Sequence, residues 1–373
     1  MTPITSELTR KDKEKEKIEK NKSMGPLNFL YRETVYKPIG PRPEDFLQGK
    51  MKNNAMSDIE NFKQLDDLKK HLWEGIGMRI RPKAWKKLFK YTPLNTANDE
   101  AVLAQKREEY MELVEMNREE VFEERNDTKT VETIKLIKKD VLRTLPETYM
   151  FRNKYIQKAM VRILLIFSVR NPSSCYAQGM NDIVAPIFCV FVSEAFKMNY
   201  IELENNFLEI EKTLTEKALI DAEADAFHCF SLFLSGMKQN YIKGFFGVNE
   251  NLKKLNALIN KCDKPLQKHF KDNDTEIFHF SFRWCLCLLL REFPLNLSIK
   301  LMDYYLTEEY SQDELCIYLM LSLILKFSFE IKQRKKEQII IFFQNLPTQN
   351  WGDQDIQLLV SEAFTLRSLF KIA

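Results

Sequence analysis

Two short motifs hold the residues best suited to chemistry: Ile137-x-x-Asp140-x-x-Arg143-Thr144 and Tyr176-x-Gln178-Gly179. Asp140 and Arg143 are three apart, so a helical turn brings carboxylate and guanidinium to one face. Leu145-Pro146 then stops the helix. That leaves an arginine at a helix end, steered by a carboxylate and placed to project outward. A guanidinium is a planar fork of donors, suited to the negative charge that phosphoryl transfer spreads over several oxygens. The Gln178 amide both donates and accepts. It can hold a water in line for attack while donating to a phosphate oxygen. Gly179 allows close backbone approach by a partner. Each motif also has a plainer reading: an exposed ion pair of little worth, and a helix-start turn in which Gln178 caps backbone groups. Neither motif alone decides between them.

A third motif lies upstream, Gly75-Ile76-Gly77-Met78-Arg79-Ile80-Arg81-Pro82-Lys83-Ala84-Trp85. Arg81 and Trp85 are four apart and share a face if Pro82 opens a helix at its first position. On pattern alone this is an N-terminal helix anchored by its tryptophan.

Other chemistries find no support. The four histidines, His71, His228, His269 and His279, form no metal spacing. Cys285 and Cys287 are two apart in an expected helix and point to different sides, so no metal site is expected. No phosphate-binding GxxxxGK[ST] loop or dinucleotide glycine fingerprint occurs, and no serine elbow or kinase signature set.

The elements that must position these residues are helical. The chain has 373 residues, 45% of them hydrophobic, enough for a sizeable core. Its 27 Phe against 10 Gly and 13 Pro favour helices over a turn-rich β architecture. Ile156, Ala159, Met160, Ile163, Leu164 and Phe167 follow the rhythm of a helix with one buried stripe. Glu276–Arg291 reads as a central helix ended by Pro294. Cys316–Phe327 reads as a buried helix. Glu337–Leu346 and Asp353–Phe370 read as amphipathic helices separated by the turn Pro347–Trp351. No stretch alternates as a strand would, so the fold class is all-α.

Residues 1–24 read as a disordered, charged tail, with one apolar residue, Ile18, in their Lys- and Glu-rich stretch. Interleaved Asp12, Glu14, Glu16 and Glu19 weaken any attraction of that tail to membranes. Residues 25–56, punctuated by Pro38, Gly40, Pro41 and Pro43, read as an extended linker. The net charge of +3 argues against a nucleic-acid binder. Seven cysteines without framework spacing suggest a reducing, cytoplasmic compartment. The longest apolar runs, Ile183–Val192 and Leu315–Leu325, are too short to span a bilayer.

Taken together and in this order, the motifs resemble the signature of TBC-domain GTPase-activating proteins that act on Rab GTPases. The resemblance extends to Arg170–Phe196, Glu223-Ala224-Asp225-Ala226-Phe227, Phe282-Arg283-Trp284, Leu290-Arg291-Glu292-Phe293-Pro294 and Leu346-Pro347-Thr348-Gln349-Asn350-Trp351. It is nearest the Golgi-associated subgroup and covers residues 57–373, with a motif core at 75–309 followed by C-terminal helices. It implies a two-lobed helical domain that binds a GTP-loaded Rab, regulates vesicle trafficking and has no nucleotide site of its own. GTP and Mg would be carried by the partner. It also implies that Arg143 is an arginine finger and Gln178 a glutamine finger. Asp140 would orient the arginine, while Tyr176, Gly179 and Asn181 would shape the receiving loop. Arg81 would make internal polar contacts. A partner could recruit the protein peripherally to Golgi membranes. Two positions depart from the family pattern: His228 and Met302 stand where tryptophan is usual, and both read as core substitutions. Gly77 stands where proline is usual. The competing readings are a catalytically silent TBC-like Rab-binding scaffold and a helical scaffold unrelated to GTPases.

Overall fold

A computed structural model describes residues 57–371 except Asn61, Glu74, Arg125, Cys175 and Tyr310. The expected tail and the whole of the expected linker lie outside these residues. Among the described residues, fifteen helices of eight residues or more follow in order. They are α1 Leu65–Leu72, α2 Arg81–Leu88, α3 Asp99–Met116, α4 Thr128–Leu142, α5 Lys154–Arg170, α6 Met180–Ala195, α7 Tyr200–Ile210, α8 Glu216–Ser235, α9 Phe246–Cys262, α10 Lys264–Asp272, α11 Phe278–Cys287, α12 Leu295–Thr307, α13 Gln312–Lys326, α14 Lys336–Gln344 and α15 Asp353–Leu369. No strand occurs among the described residues, and the fold is all-α.

Many of these helices begin where a short polar side chain can take orphaned backbone donors. Asn153 accepts from Tyr155 N at 2.8 Å to start α5. Asn199 and Glu202 form a reciprocal capping box on α7. Thr215, Asp263 and Ser311 cap α8, α10 and α13.

The helices assort into two lobes. In the first, α4, α5, α6 and α8 pack together, with α3 laid against α8. In the second, α9, α11, α13 and α15 form the core, with α14 packed on α11. Helix α6 joins the lobes, since it also touches α11 and α12. It is buried along nearly its whole length, Pro186 included. No single helix among the described residues is long and apolar enough to cross a membrane.

Two expectations need correction. The buried side of α5 is wider than one stripe: Val161, Leu165 and Ile166 are buried as well. The reason is that α4, α6 and α8 cover it from several directions. The expected helix over Glu276–Arg291 ends at Cys287. Leu288 and Leu289 are both left-handed, with φ of 53° and 61°, and fully buried. Their apolar packing outweighs a backbone conformation that bulky side chains seldom adopt. A short 3₁₀ turn, Leu290–Glu292, follows. Pro294 then opens α12 instead of ending the helix before it.

Candidate functional site

Helix α4 ends at Leu142, and Arg143 is its C-cap. Leu145 turns left-handed at φ 41°, which carries the chain away before Pro146. Arg143 is therefore thrown outward, with 47% of its side chain exposed, while the Asp140 side chain is only 9% exposed. Arg143 Nη2 donates to Asp140 Oδ1 at 2.7 Å. The pair expected from the spacing is formed, and its carboxylate is buried where water screens it little.

The other oxygen of Asp140 is also used. The Tyr176 hydroxyl donates to Asp140 Oδ2 at 2.6 Å. Burial and the adjacent Asp140 charge push the Tyr176 phenol well above its usual range. One carboxylate thus holds the arginine with one oxygen and the Gln178 loop with the other.

Asn181 makes a second bridge. Its Oδ1 accepts from Gly179 N at 3.2 Å. Its Nδ2 donates to Thr144 Oγ1 at 3.0 Å, and Thr144 Oγ1 in turn donates to the Asp140 carbonyl at 2.9 Å. The end of α4 and the start of α6 are locked into one polar unit. At its rim Gln178 is exposed, and its amide has no hydrogen-bond partner among the described residues.

Gly179 caps α6 at φ 108°. A Cβ there would sit 3.6 Å from Leu286 and Cys287, an ordinary contact distance. Space is therefore no obstacle; the dihedral is what asks for glycine. Asp182 lies just inside the ring. Its Oδ1 accepts from Asn181 Nδ2 at 3.2 Å, while Oδ2 has no hydrogen-bond partner. Burial pushes its carboxyl up to about 6, against the opposing charge of Arg291.

The upstream motif is elsewhere. Helix α2 starts at Arg81, so Pro82 is its second residue, not its first. Arg81 Nε and Nη2 donate to the Asp303 carboxylate at 3.0–3.2 Å, and Trp85 Nε1 donates to Asp303 Oδ1 at 2.7 Å. Arg81, Trp85 and Asp303 are all buried, so the cluster fastens α2 to α12. Met302, the neighbour of Asp303, is fully buried, as expected of a core substitution. His228 departs from that expectation. It sits only half-buried at the core's edge, stacked on Tyr91 at 5.3 Å, with Nε2 2.9 Å from the Lys106 carbonyl.

The sequence motifs point to Asp140, Arg143, Tyr176, Gln178, Gly179 and Asn181, and the fold places all six in one unit. They do not single out Thr144 and Asp182 as site residues, although both stand inside the same stretches of chain. Thr144 follows Asp140 by four, the spacing at which a threonine hydroxyl reaches back to a helix carbonyl. Among the described residues, no three of His, Cys, Asp or Glu are grouped to hold a metal.

Comparison with known proteins agrees with fold and motifs. Residues 78–332 match the Rab-GTPase-TBC domain model. The chain is 34% identical over 321 residues to human TBC1 domain family member 22B, covering 84% of this chain and 62% of that protein. It is 33% identical over 329 residues to the GTPase-activating protein gyp1 of Schizosaccharomyces pombe, covering 85% and 62%. The solved structure of the Ypt/Rab-GAP domain of Gyp1p superposes with a TM-score of 0.77 at 32% identity, covering 85% of this chain and all of that one. This chain belongs to the Rab-GTPase-TBC domain family. It spans about three fifths of the length of those two full-length relatives, 62% in each case.

Proposed function

We propose that this chain is a GTPase-activating protein for a Rab-family GTPase. It supplies Arg143 and Gln178 in trans to the partner's nucleotide site. One observation carries the reading: both side chains are exposed on a single hydrogen-bonded unit, with Asp140 shared between Arg143 and the Tyr176 hydroxyl. Arg143 is held at Nη2 by Asp140, and its side chain stands half-exposed. Its guanidinium would spread over the transferring phosphoryl group as charge develops there. Gln178 would hold the attacking water by accepting from it while donating to a phosphate oxygen. Pre-organisation matters because side chains already in place lose little freedom when the partner docks.

Asp140 is the positioning residue for the arginine, and Tyr176, Gly179 and Asn181 set the loop. The domain comprises residues 57–373. GTP and Mg belong to the partner, and the chain has no nucleotide site or cofactor of its own. The matches to the Rab-GTPase-TBC domain model and to a Ypt/Rab-GAP domain structure support a Rab as partner; the Rab would be engaged in its GTP state, and the chain would thereby regulate vesicle trafficking. Golgi membranes, reached peripherally through a recruiting protein, are the proposed location. Intact Arg143 and Gln178 speak against the silent-scaffold reading. The test is phosphate release from a panel of GTP-loaded Rabs with and without the protein. Stimulation of at least one Rab, lost on substituting Arg143, is the expected result; binding without stimulation across the panel would leave only the scaffold.

A further inference from the structure

Beside the finger pair lies an aromatic strip that the hydrolysis chemistry does not use. Leu286 forms part of the floor under Gly179, 3.6 Å from where a Cβ would be. Phe282 and Phe278 precede it on α11 by four and eight residues, so the three share a helix face. The strip starts beneath the Gln178 loop and runs about 12 Å along the helix. The Phe278 and Phe282 rings lie 4.9 Å apart, and Phe245 meets Phe282 at 5.2 Å. Phe246 adds a ring 65% exposed, and Phe278 is 44% exposed.

This aromatic turn is held in place. The Tyr241 hydroxyl donates to the Leu286 carbonyl at 3.0 Å, tying the turn to α11 at the point that supports Gly179. The Phe246 ring lies back over Gly244, 3.2 Å from where a Cβ on that residue would be. Phe245 is left-handed at φ 50°, a costly conformation for an aromatic residue that persists only when its surroundings impose it. Leu142, which directly precedes Arg143, is 66% exposed. Apolar surface fixed in place and left open to water beside a polar site marks an interaction surface.

We propose that Phe246, Phe278 and Phe282, together with Leu142 next to Arg143, form a docking surface for an apolar patch on the partner GTPase beside its nucleotide site. The proposal rests on Arg143 and Gln178 being fingers. Its occupant follows from continuity: a protein that brings a nucleotide onto Arg143 and Gln178 also covers the strip that begins under Gly179. The rings carry no charge into the reaction, so they govern affinity and choice of partner, while the fingers govern turnover.

The experiment compares wild type, the double variant Phe246→Ser/Phe278→Ser, Leu142→Ser and Arg143→Lys. Each is measured for binding to a Rab loaded with a non-hydrolysable GTP analogue, for KM and kcat of stimulated hydrolysis, and for mass in solution. The double variant should raise Kd and KM about ten-fold or more and leave kcat at saturation within about two-fold. Leu142→Ser should act in the same direction, and Arg143→Lys should do the reverse, losing kcat and keeping Kd. If wild type stimulates a Rab while the double variant keeps its Kd and KM, the docking surface is overturned and the activity stands. If wild type neither binds nor stimulates any Rab, both readings fall. If wild type is a dimer that the double variant dissociates at unchanged Rab affinity, the occupant is a second copy, and the proposal is overturned.

Discussion

Asn181 Nδ2 reaches the Thr144 hydroxyl at 3.0 Å, across 37 residues of chain. The contact joins the arginine-bearing helix end to the glutamine-bearing loop without involving either finger. Thr144→Val keeps shape and removes the hydroxyl, so it cuts this bridge and the bond to the Asp140 carbonyl. Stimulated kcat should fall by as much as about 10², the range in which misplaced catalytic groups cost rate, with KM little changed. Thr144→Ser should restore it. Combining Thr144→Val with Asn181→Ala should cost scarcely more than either alone; additive losses in single-turnover rates would show that the two act separately.

Arg143→Lys keeps the charge and loses the fork. Stimulated hydrolysis should drop by about 10³ or more, while the melting temperature moves little because the side chain is half in water. Asp140→Ala should cost less than loss of the arginine, because the charge remains but wanders. Near-normal turnover by Arg143→Lys on a responsive Rab would remove the finger role.

The proposed role of Gln178 in holding the attacking water would make the partner's own water-orienting glutamine dispensable. A Rab with that residue changed to leucine should still respond, at least in part, if its binding survives. Gln178→Ala should remove most stimulation of an unaltered Rab. Single-turnover phosphate release for the four combinations decides it. An altered Rab that binds yet never responds, with Gln178→Ala fully active on normal Rab, would place the water in the partner's hands.

Asp182 predicts a pH dependence of stability. Its carboxyl is pushed up to about 6 by burial, with Arg291 opposing the rise. A raised acid binds its proton more tightly folded than unfolded. Its contribution is therefore fully present below the ordinary carboxylate range and lost as pH climbs through about 6. Asp182→Asn removes that loss and can also supply a donor where Oδ2 has no partner. Thermal melts should show a gain of a few degrees at about pH 8 that shrinks towards pH 4. A gain of equal size at both pH values would exclude the carboxyl as its source.

Arg81 and Asp303 face each other fully buried. Removing one partner strands the other charge, so Asp303→Ala should cost about 3–5 kcal/mol. Denaturant titration measures it. A loss below about 1 kcal/mol would mean that water reaches the pair.

Much of the molecule is legible in its amino-acid order. The periodicity of Ile156–Phe167, Cys316–Phe327 and Asp353–Phe370 locates three helices within a few residues, because packed helix faces leave a regular apolar imprint. Gly179 reads in the sequence as room for a partner's approach, whereas its left-handed cap on α6 emerges only in the fold. What escapes such patterns is nonlocal. Asp303 is 222 residues from Arg81, and no spacing rule joins them. The break at Leu288-Leu289 carries none of the usual glycine or proline signals, because burial of two leucines imposes it. His228 defeats the expectation of a core position for a related reason: its reach to Lys106 depends on α3 lying across α8, and its stacking partner Tyr91 comes from the segment after α2.

Trp73, just after α1, packs edge-on against Tyr304 at 5.3 Å and Phe364 at 4.7 Å. Lys69 Nζ donates to the Glu308 carbonyl at 2.6 Å, and Arg367 near the end of α15 pairs with the same glutamate at 3.0 Å. Helices α1 and α15 therefore meet at one corner, both fastened to the end of α12. Neighbouring ends of this kind permit circular permutation. A short linker could join α15 to α1, and the chain could be reopened at the exposed turn near Lys197 between α6 and α7.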